Sequence, residues 1–295
     1  MRIGVHCGVR DGLPSALEEA HRLGCETLQI FTHSPRQWRA PRINDAEAER
    51  FKNRRLELGL TPLVVHTPYL PNLCTLDEPT YARSYRALIS DLEICRRIDA
   101  DYFVIHPGSF SPGSDRRAGI ARLTDALNRA IAYVPGRTRI LIENMAGGGR
   151  RVGDRFDQIR DILDGIDHAD RVGLCLDTCH TFASGYRFRS AEDVAHTLRI
   201  VEKVVGLERL RVIHANDSQA VQGSRLDLHE HIGKGHIGQE AFYALLHDPR
   251  LQHVAAILET PAEPASANRR NLTVMRRLRA APQPPSLDVP VSIPS

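Results

Sequence analysis

Nowhere in the chain does an apolar run approach the ~20 residues that a bilayer-spanning helix needs, which excludes a helical membrane protein. Lysine is nearly missing: Lys52, Lys203 and Lys234 stand alone among the cations, and arginine supplies the rest. The formal net charge is only +3, so charge by itself does not predict a nucleic-acid partner. Arginine forks phosphate oxygens well, although a GC-rich genome gives the same bias. There are six cysteines, Cys7, Cys25, Cys74, Cys95, Cys175 and Cys179, and no two are spaced as C-x-x-C. That spacing rules out a zinc-finger pattern, and the expectation is a set of reduced core thiols. Met1–His6 runs straight into a strand pattern and leaves no room for a signal peptide, so the expected compartment is the cytoplasm.

What is present is a long alternation. Short β-branched runs at Ile3–Cys7, Thr27–Phe31, Leu63–Val65, Tyr102–Ile105, Arg139–Ile142, Val172–Leu176, Leu210–Ile213 and Ala255–Leu258 read as strands. Helical stripes lie between them, at Pro14–Leu23, Asp45–Leu58, Tyr81–Cys95, Ile120–Ile131, Phe156–Leu163, after Ser190, at Gln239–His247 and at Ala267–Leu278. Eight strands each followed by a helix imply a parallel sheet, because parallel neighbours need crossovers. The predicted class is α/β, a (β/α)8 TIM barrel forming a single domain over 1–279. The proline-rich stretch 280–295 is expected to be a disordered tail.

The residue after each strand from the third to the eighth is His66, His106, Glu143, Asp177, His214 and Glu259. Strand C-termini of such a barrel converge on one mouth, so six metal-ligand side chains point into one small volume. Burying that many ionisable groups is costly without compensation, and metal ions are the natural compensation. His180, one turn past Asp177, and the pair Asp227 and His229 in the long loop after strand seven raise the donors to nine. One ion takes three or four protein ligands, so nine suggest about two or three ions. A nitrogen-and-oxygen set without cysteine suits Zn2+, with Mn2+ the alternative. Clusters of this kind suit phosphoryl transfer. Three dications would bring the formal charge to about +9 at the mouth, favouring a polyanionic substrate. Gly147-Gly148-Gly149 is a weak phosphate-cradle signal, and His231 and His236 fall outside the ligand pattern.

At these residues the sequence closely resembles the endonuclease IV family of apurinic/apyrimidinic (AP) endonucleases. The matching stretches include FTHSPRQWRAP at 31–41, VHTPYLPNL at 65–73, HPGS at 106–109 and IENMAGGG at 142–149. They continue with CLDTCHTFASGY at 175–186, HANDSQ at 214–219, SRLDLHEHIGKGHIG at 224–238 and LET at 258–260. The resemblance implies a trinuclear zinc site on His66, His106, Glu143, Asp177, His180, His214, Asp227, His229 and Glu259. Glu143 would bridge two ions, one held also by His66 and His106, the other by Asp177, His214 and Glu259. His180, Asp227 and His229 would hold the third. It implies catalysis centred on Glu143 and Glu259, and hydrolysis on the 5′ side of an abasic site in double-stranded DNA. The products would carry a 3′-hydroxyl and a 5′-deoxyribose phosphate, and 3′ blocking groups would also be removed. It implies DNA contacts by Arg36, Tyr69 and Leu70, where flat or apolar wedges kink a duplex. A monomer is expected. Two rivals stand beside this reading: a sugar isomerase or epimerase on a similar barrel, and a non-enzymatic binder of DNA lesions.

Overall fold

The computed structural model describes residues 1–34, 37–38, 43–263 and 266–282. The barrel strands are β1 (Arg2–Cys7), β2 (Thr27–Phe31), β3 (Leu63–His66), β4 (Tyr102–Ile105), β5 (Arg139–Glu143), β6 (Val172–Asp177) and β7 (Leu210–His214). A short ribbon follows, β8 (Asp217–Ser218) with β9 (His229–Glu230), and the last barrel strand is β10 (Ala255–Leu258). Each barrel strand pairs in parallel with the next, and β10 closes the ring on β1 through Arg2 opposite Ala255. The close approach of β1 to β2 explains Gly4, where a Cβ would sit 1.9 Å from the Thr27 carbonyl oxygen.

The helices are α1 (Leu13–Arg22), α2 (Asp45–Glu57), α3 (Glu78–Arg97), α4 (Arg116–Tyr133), α5 (Phe156–Asp164), α6 (Thr178–Ala183), α7 (Ala191–Val204), α8 (Gln239–His247) and α9 (Ala267–Ala280). Their starts are written in the sequence. Asn44 with Glu47 and Ser190 with Asp193 form reciprocal capping boxes, while Asp77 and Asp115 accept backbone N–H groups at 2.9 and 2.8 Å. The main core lies between the outer face of the strands and the helices, with Leu17, Phe103, Phe156, Leu198 and Phe242 fully buried.

The predicted elements fall where expected to within a few residues, apart from α6 and the β8–β9 ribbon. Both are additions to the alternation, and both carry site residues. All six cysteines are buried and free. No helix among the described residues is long and apolar enough to cross a membrane. The expected tail lies outside the described residues from 283 onward.

Candidate metal centre

A second, smaller apolar cluster fills the barrel itself: Val64, Val104, Leu141, Cys175, Val212 and Ile257. Side chains alternate across a strand, so the residue two positions on faces the same way. Those residues are His66, His106, Glu143, Asp177, His214 and Glu259. The barrel interior therefore ends, at its C-terminal mouth, in a polar layer laid directly on an apolar plug.

Glu143 occupies the middle of that layer and is almost wholly buried. Its Oε2 lies 3.0 Å from His66 Nε2 and 3.2 Å from His106 Nε2. Its Oε1 lies 3.2 Å from both His180 Nδ1 and His214 Nδ1. His214 Nδ1 is also 3.1 Å from Glu259 Oε2 and 3.9 Å from Asp177 Oδ2. On the other side, Asp227 Oδ1 lies 3.1 Å from His180 Nε2 and from His229 Nε2. His229 Nε2 is 3.7 Å from Asp177 Oδ2. All nine sequence-predicted donors meet in one cluster. Donor atoms within 4.8 Å of one another form the groups His66–His106–Glu143, Glu143–Asp177–His214–Glu259 and His180–Asp227–His229.

Two local devices bring the loop donors in. Asp177 caps α6, accepting the His180 N–H at 2.7 Å, and the six-residue helix turns His180 back over the mouth. The β8–β9 ribbon pairs Ser218 with His229 and so brings His229, with Asp227 just before it, across from α6.

The imidazoles are aimed, not merely close. His66 Nδ1–H donates to the Thr67 carbonyl at 2.6 Å, and His229 Nδ1–H to the Glu259 carbonyl at 3.0 Å. His180 Nδ1–H donates to the Asn144 carbonyl at 2.9 Å. Each anchor fixes a tautomer and leaves the other nitrogen's lone pair facing the cluster, the arrangement ligating histidines use. His180 Nε2 and His229 Nε2 are buried without a hydrogen-bond partner among the described residues, which is costly for a polar atom. A cation beside Asp227 would satisfy both.

Charge points the same way. Burial would raise the Glu143 carboxyl, but His214 and His106 hold it well below the usual carboxylate range. Burial opposes charge on His229 too, yet Asp177 and Asp227 push it up to about 9. Burial likewise disfavours charged His180, and Asp177 and Asp227 raise it well above the ordinary histidine value. A pocket anionic enough to draw protons onto its histidines is a pocket that calls for cations. The nitrogen-and-oxygen donor set fits divalent zinc or manganese.

Around the mouth, Tyr69 is 68% exposed and rises beside it, its ring 5.8 Å from Phe31 and 6.2 Å from His106. Leu70 next to it is half-buried. Arg36 lies outside the described residues. Gly147 at φ 90° is tucked under the loop that carries Asp227, where a Cβ would meet Arg225 and Asp154 at 2.9 Å. Its glycine is thus explained by that close approach. His231 pairs with Asn271 at 3.0 Å, and His236 is exposed.

Four residues that strand-end reasoning passed over also belong to the site, Asn144, Asn216 and Gln29 buried and His6 half-buried. Asn216 Nδ2 donates to Asp177 Oδ2 at 2.7 Å, and Asn144 Oδ1 accepts the Asp177 N–H at 2.8 Å. His6 Nδ1 lies 3.3 Å from Glu259 Oε1, and Gln29 joins His6, His214 and Glu259. His6 and Gln29 face the same mouth from β1 and β2, the two strands left out of the ligand reading.

Comparison with known proteins sets this geometry in a family. Residues 17–280 match the family described as xylose isomerase-like TIM barrel. A "Probable endonuclease 4" of Halothermothrix orenii is 38% identical over 261 residues, covering 88% of this chain and 94% of that protein. Another, of Chloroflexus aurantiacus, is 39% identical over 279 residues, covering 94% and 98%. Among solved structures, endonuclease IV from Thermus thermophilus matches with a TM-score of 0.83 at 37% identity, covering 94% of this chain and 98% of that one. A D-tagatose 3-epimerase-like protein matches at TM-score 0.69 and 17% identity over 95% of this chain and 98% of its own, a likeness of the barrel alone.

Proposed function

The chain belongs to the endonuclease IV family of AP endonucleases, and from that premise we propose that it hydrolyses the phosphodiester 5′ to abasic sites in double-stranded DNA. It is a hydrolase acting in DNA repair. The products of the proposed reaction are a 3′-hydroxyl and a 5′-deoxyribose phosphate, and 3′ blocking groups are removed at the same site by the same displacement. The observation that carries this reading is the convergence of nine donors at one barrel mouth, three of the histidines aimed by backbone carbonyls.

In this reading about three divalent ions are held, zinc or manganese. Glu143, His66 and His106 would hold one; Glu143, Asp177, His214 and Glu259 a second; His180, Asp227 and His229 a third. Bound there, divalent ions supply Lewis-acid activation of water and of the scissile phosphate, and neutralise the leaving oxyanion.

The chain's own residues do the rest. Glu143 ties the two halves of the cluster, so its displacement disturbs both. Asn216 and Asn144 hold Asp177 in place, and the Thr67, Asn144 and Glu259 carbonyls hold the imidazoles in their working tautomers. Glu259 has one carboxylate oxygen held by Gln29 and the other 3.1 Å from His214 Nδ1, facing the cluster, where it would orient the attacking water. Tyr69 and Leu70 act as the wedge that enters the minor groove and favours a flipped-out abasic nucleotide, with Arg36 in the base stack. The enzyme acts as a monomer.

The third donor group favours a nuclease over a sugar epimerase on the same barrel, since the epimerase reading leaves His180, Asp227 and His229 without work. The test is incision of a duplex carrying one abasic analogue, against the same duplex intact. The expected result is a single cut 5′ to the lesion, abolished by chelation and restored by zinc or manganese. Equal cleavage of both duplexes, or cutting on the 3′ side, would defeat the proposal.

A further inference from the structure

Three of the histidines in the cluster are anchored by backbone carbonyls, which no substitution removes. His214 is different. Its Nε2 lies 2.8 Å from Gln29 Oε1, a side-chain amide in the middle of β2 that is completely buried. The direction of that amide follows from chemistry. Gln29 Nε2 lies 2.6 Å from Glu259 Oε1. An ionised carboxylate only accepts, so this atom must be the NH2 group. The other amide atom is then a carbonyl oxygen, also accept-only, and His214 Nε2 must carry the proton. The lone pair of His214 is left on Nδ1, which lies 3.2 Å from Glu143 and 3.1 Å from Glu259. The second N–H of Gln29 points to His6 Nδ1 at 2.9 Å, which fixes the amide from a third side.

We propose that Gln29 is a positioning residue for the metal centre, selecting Nδ1 as the ligating nitrogen of His214 and holding Glu259 beside it. A buried amide costs free energy unless every hydrogen-bonding atom is used, and here each has a partner. A single neutral side chain thereby sets two of the four donors, His214 and Glu259, in the group they form with Glu143 and Asp177. Remove it, and His214 can turn its ring or change tautomer, while Glu259 loses the donor that keeps it turned inward. The inference rests on the metal-dependent reading given above.

The test uses Gln29→Met, close to glutamine in length and without a polar atom. Metal content is measured on wild type and variant after equilibration with a competing chelator, alongside thermal unfolding of the loaded proteins. The expected result is one ion fewer per chain, or roughly 10–100-fold weaker affinity for one ion, with the others retained. Unfolding should remain a single cooperative transition. A merely structural glutamine would lower the melting temperature without singling out one ion. The second measurement is made on zinc-loaded wild type and does not depend on the variant folding: imidazole 15N spectra should show His214 protonated on Nε2. A folded variant that keeps every ion with unchanged affinity overturns the inference, as does a His214 protonated on Nδ1. A wild type that takes up no ions instead defeats the reading of the centre, and the inference falls with it.

Discussion

Glu259 is the donor whose chemistry can be separated from its placement. Its backbone N–H is held by Asn216 Oδ1 at 2.8 Å and its Oε1 by Gln29 at 2.6 Å, so neutral hydrogen bonds contribute to its placement beside its charge. Glu259→Gln keeps size and shape while removing a charge that neighbouring cations and the attacking water both sense. The variant should fold and still bind abasic duplex, because the substitution leaves the proposed wedge, Tyr69 and Leu70, untouched. Incision should fall by at least ~100-fold, since one misplaced charge disturbs both attack and departure. Single-turnover incision with metal content measured on the same sample checks this. A near-normal rate with all ions bound would refute the role given to Glu259; an ion lost together with the activity would make it a ligand alone.

At the level of elements, the contact of α3 with the segment that follows β2 carries a pH dependence of its own. Asp91 on α3 is completely buried, accepts from Thr32 Oγ1 at 2.5 Å, and leaves Oδ2 without a partner among the described residues. His33 Nδ1 lies 3.5 Å away, but burial lowers the His33 pKa, so it offers no cation. Burial pushes the Asp91 carboxyl up from 3.8 to about 7. The folded protein then keeps a proton that the unfolded chain has already lost, so this group's contribution to stability declines as pH rises between those values. A difference of that size corresponds to about 4 kcal/mol. Asp91→Asn should therefore gain stability relative to wild type as pH rises from 4 to 8, by up to about that amount, as read from urea unfolding. A difference that stays flat across the range would contradict it. The elements also mark what was readable beforehand. The eight strands and their helices are legible because each repeats an apolar period, and six donors are legible because each directly follows such a run. α6 has only six residues, all buried, and shows no amphipathic contrast. β8 and β9 are two residues each and exist only through their pairing. Gln29 lies in a correctly read strand, but its direction into the mouth comes from barrel closure, which alternation within one strand does not supply.

For the whole molecule, closure of the barrel turns a repeat in the sequence into a function. Donors spread from His66 to Glu259 meet only because β10 pairs with β1 and all strand ends share one rim. The same closure gathers the charge. About three dications would concentrate positive potential at that mouth in a chain whose formal charge is only +3, the place where a phosphodiester would approach. The central claim is that these nine side chains make one multinuclear centre responsible for incision. It is tested most directly by elemental analysis of the purified protein, with abasic-duplex incision measured on the same sample before and after chelation and reloading. The account predicts about three ions per chain, incision lost as they leave, and incision recovered as zinc or manganese returns. Full incision from protein holding one ion or none would contradict it.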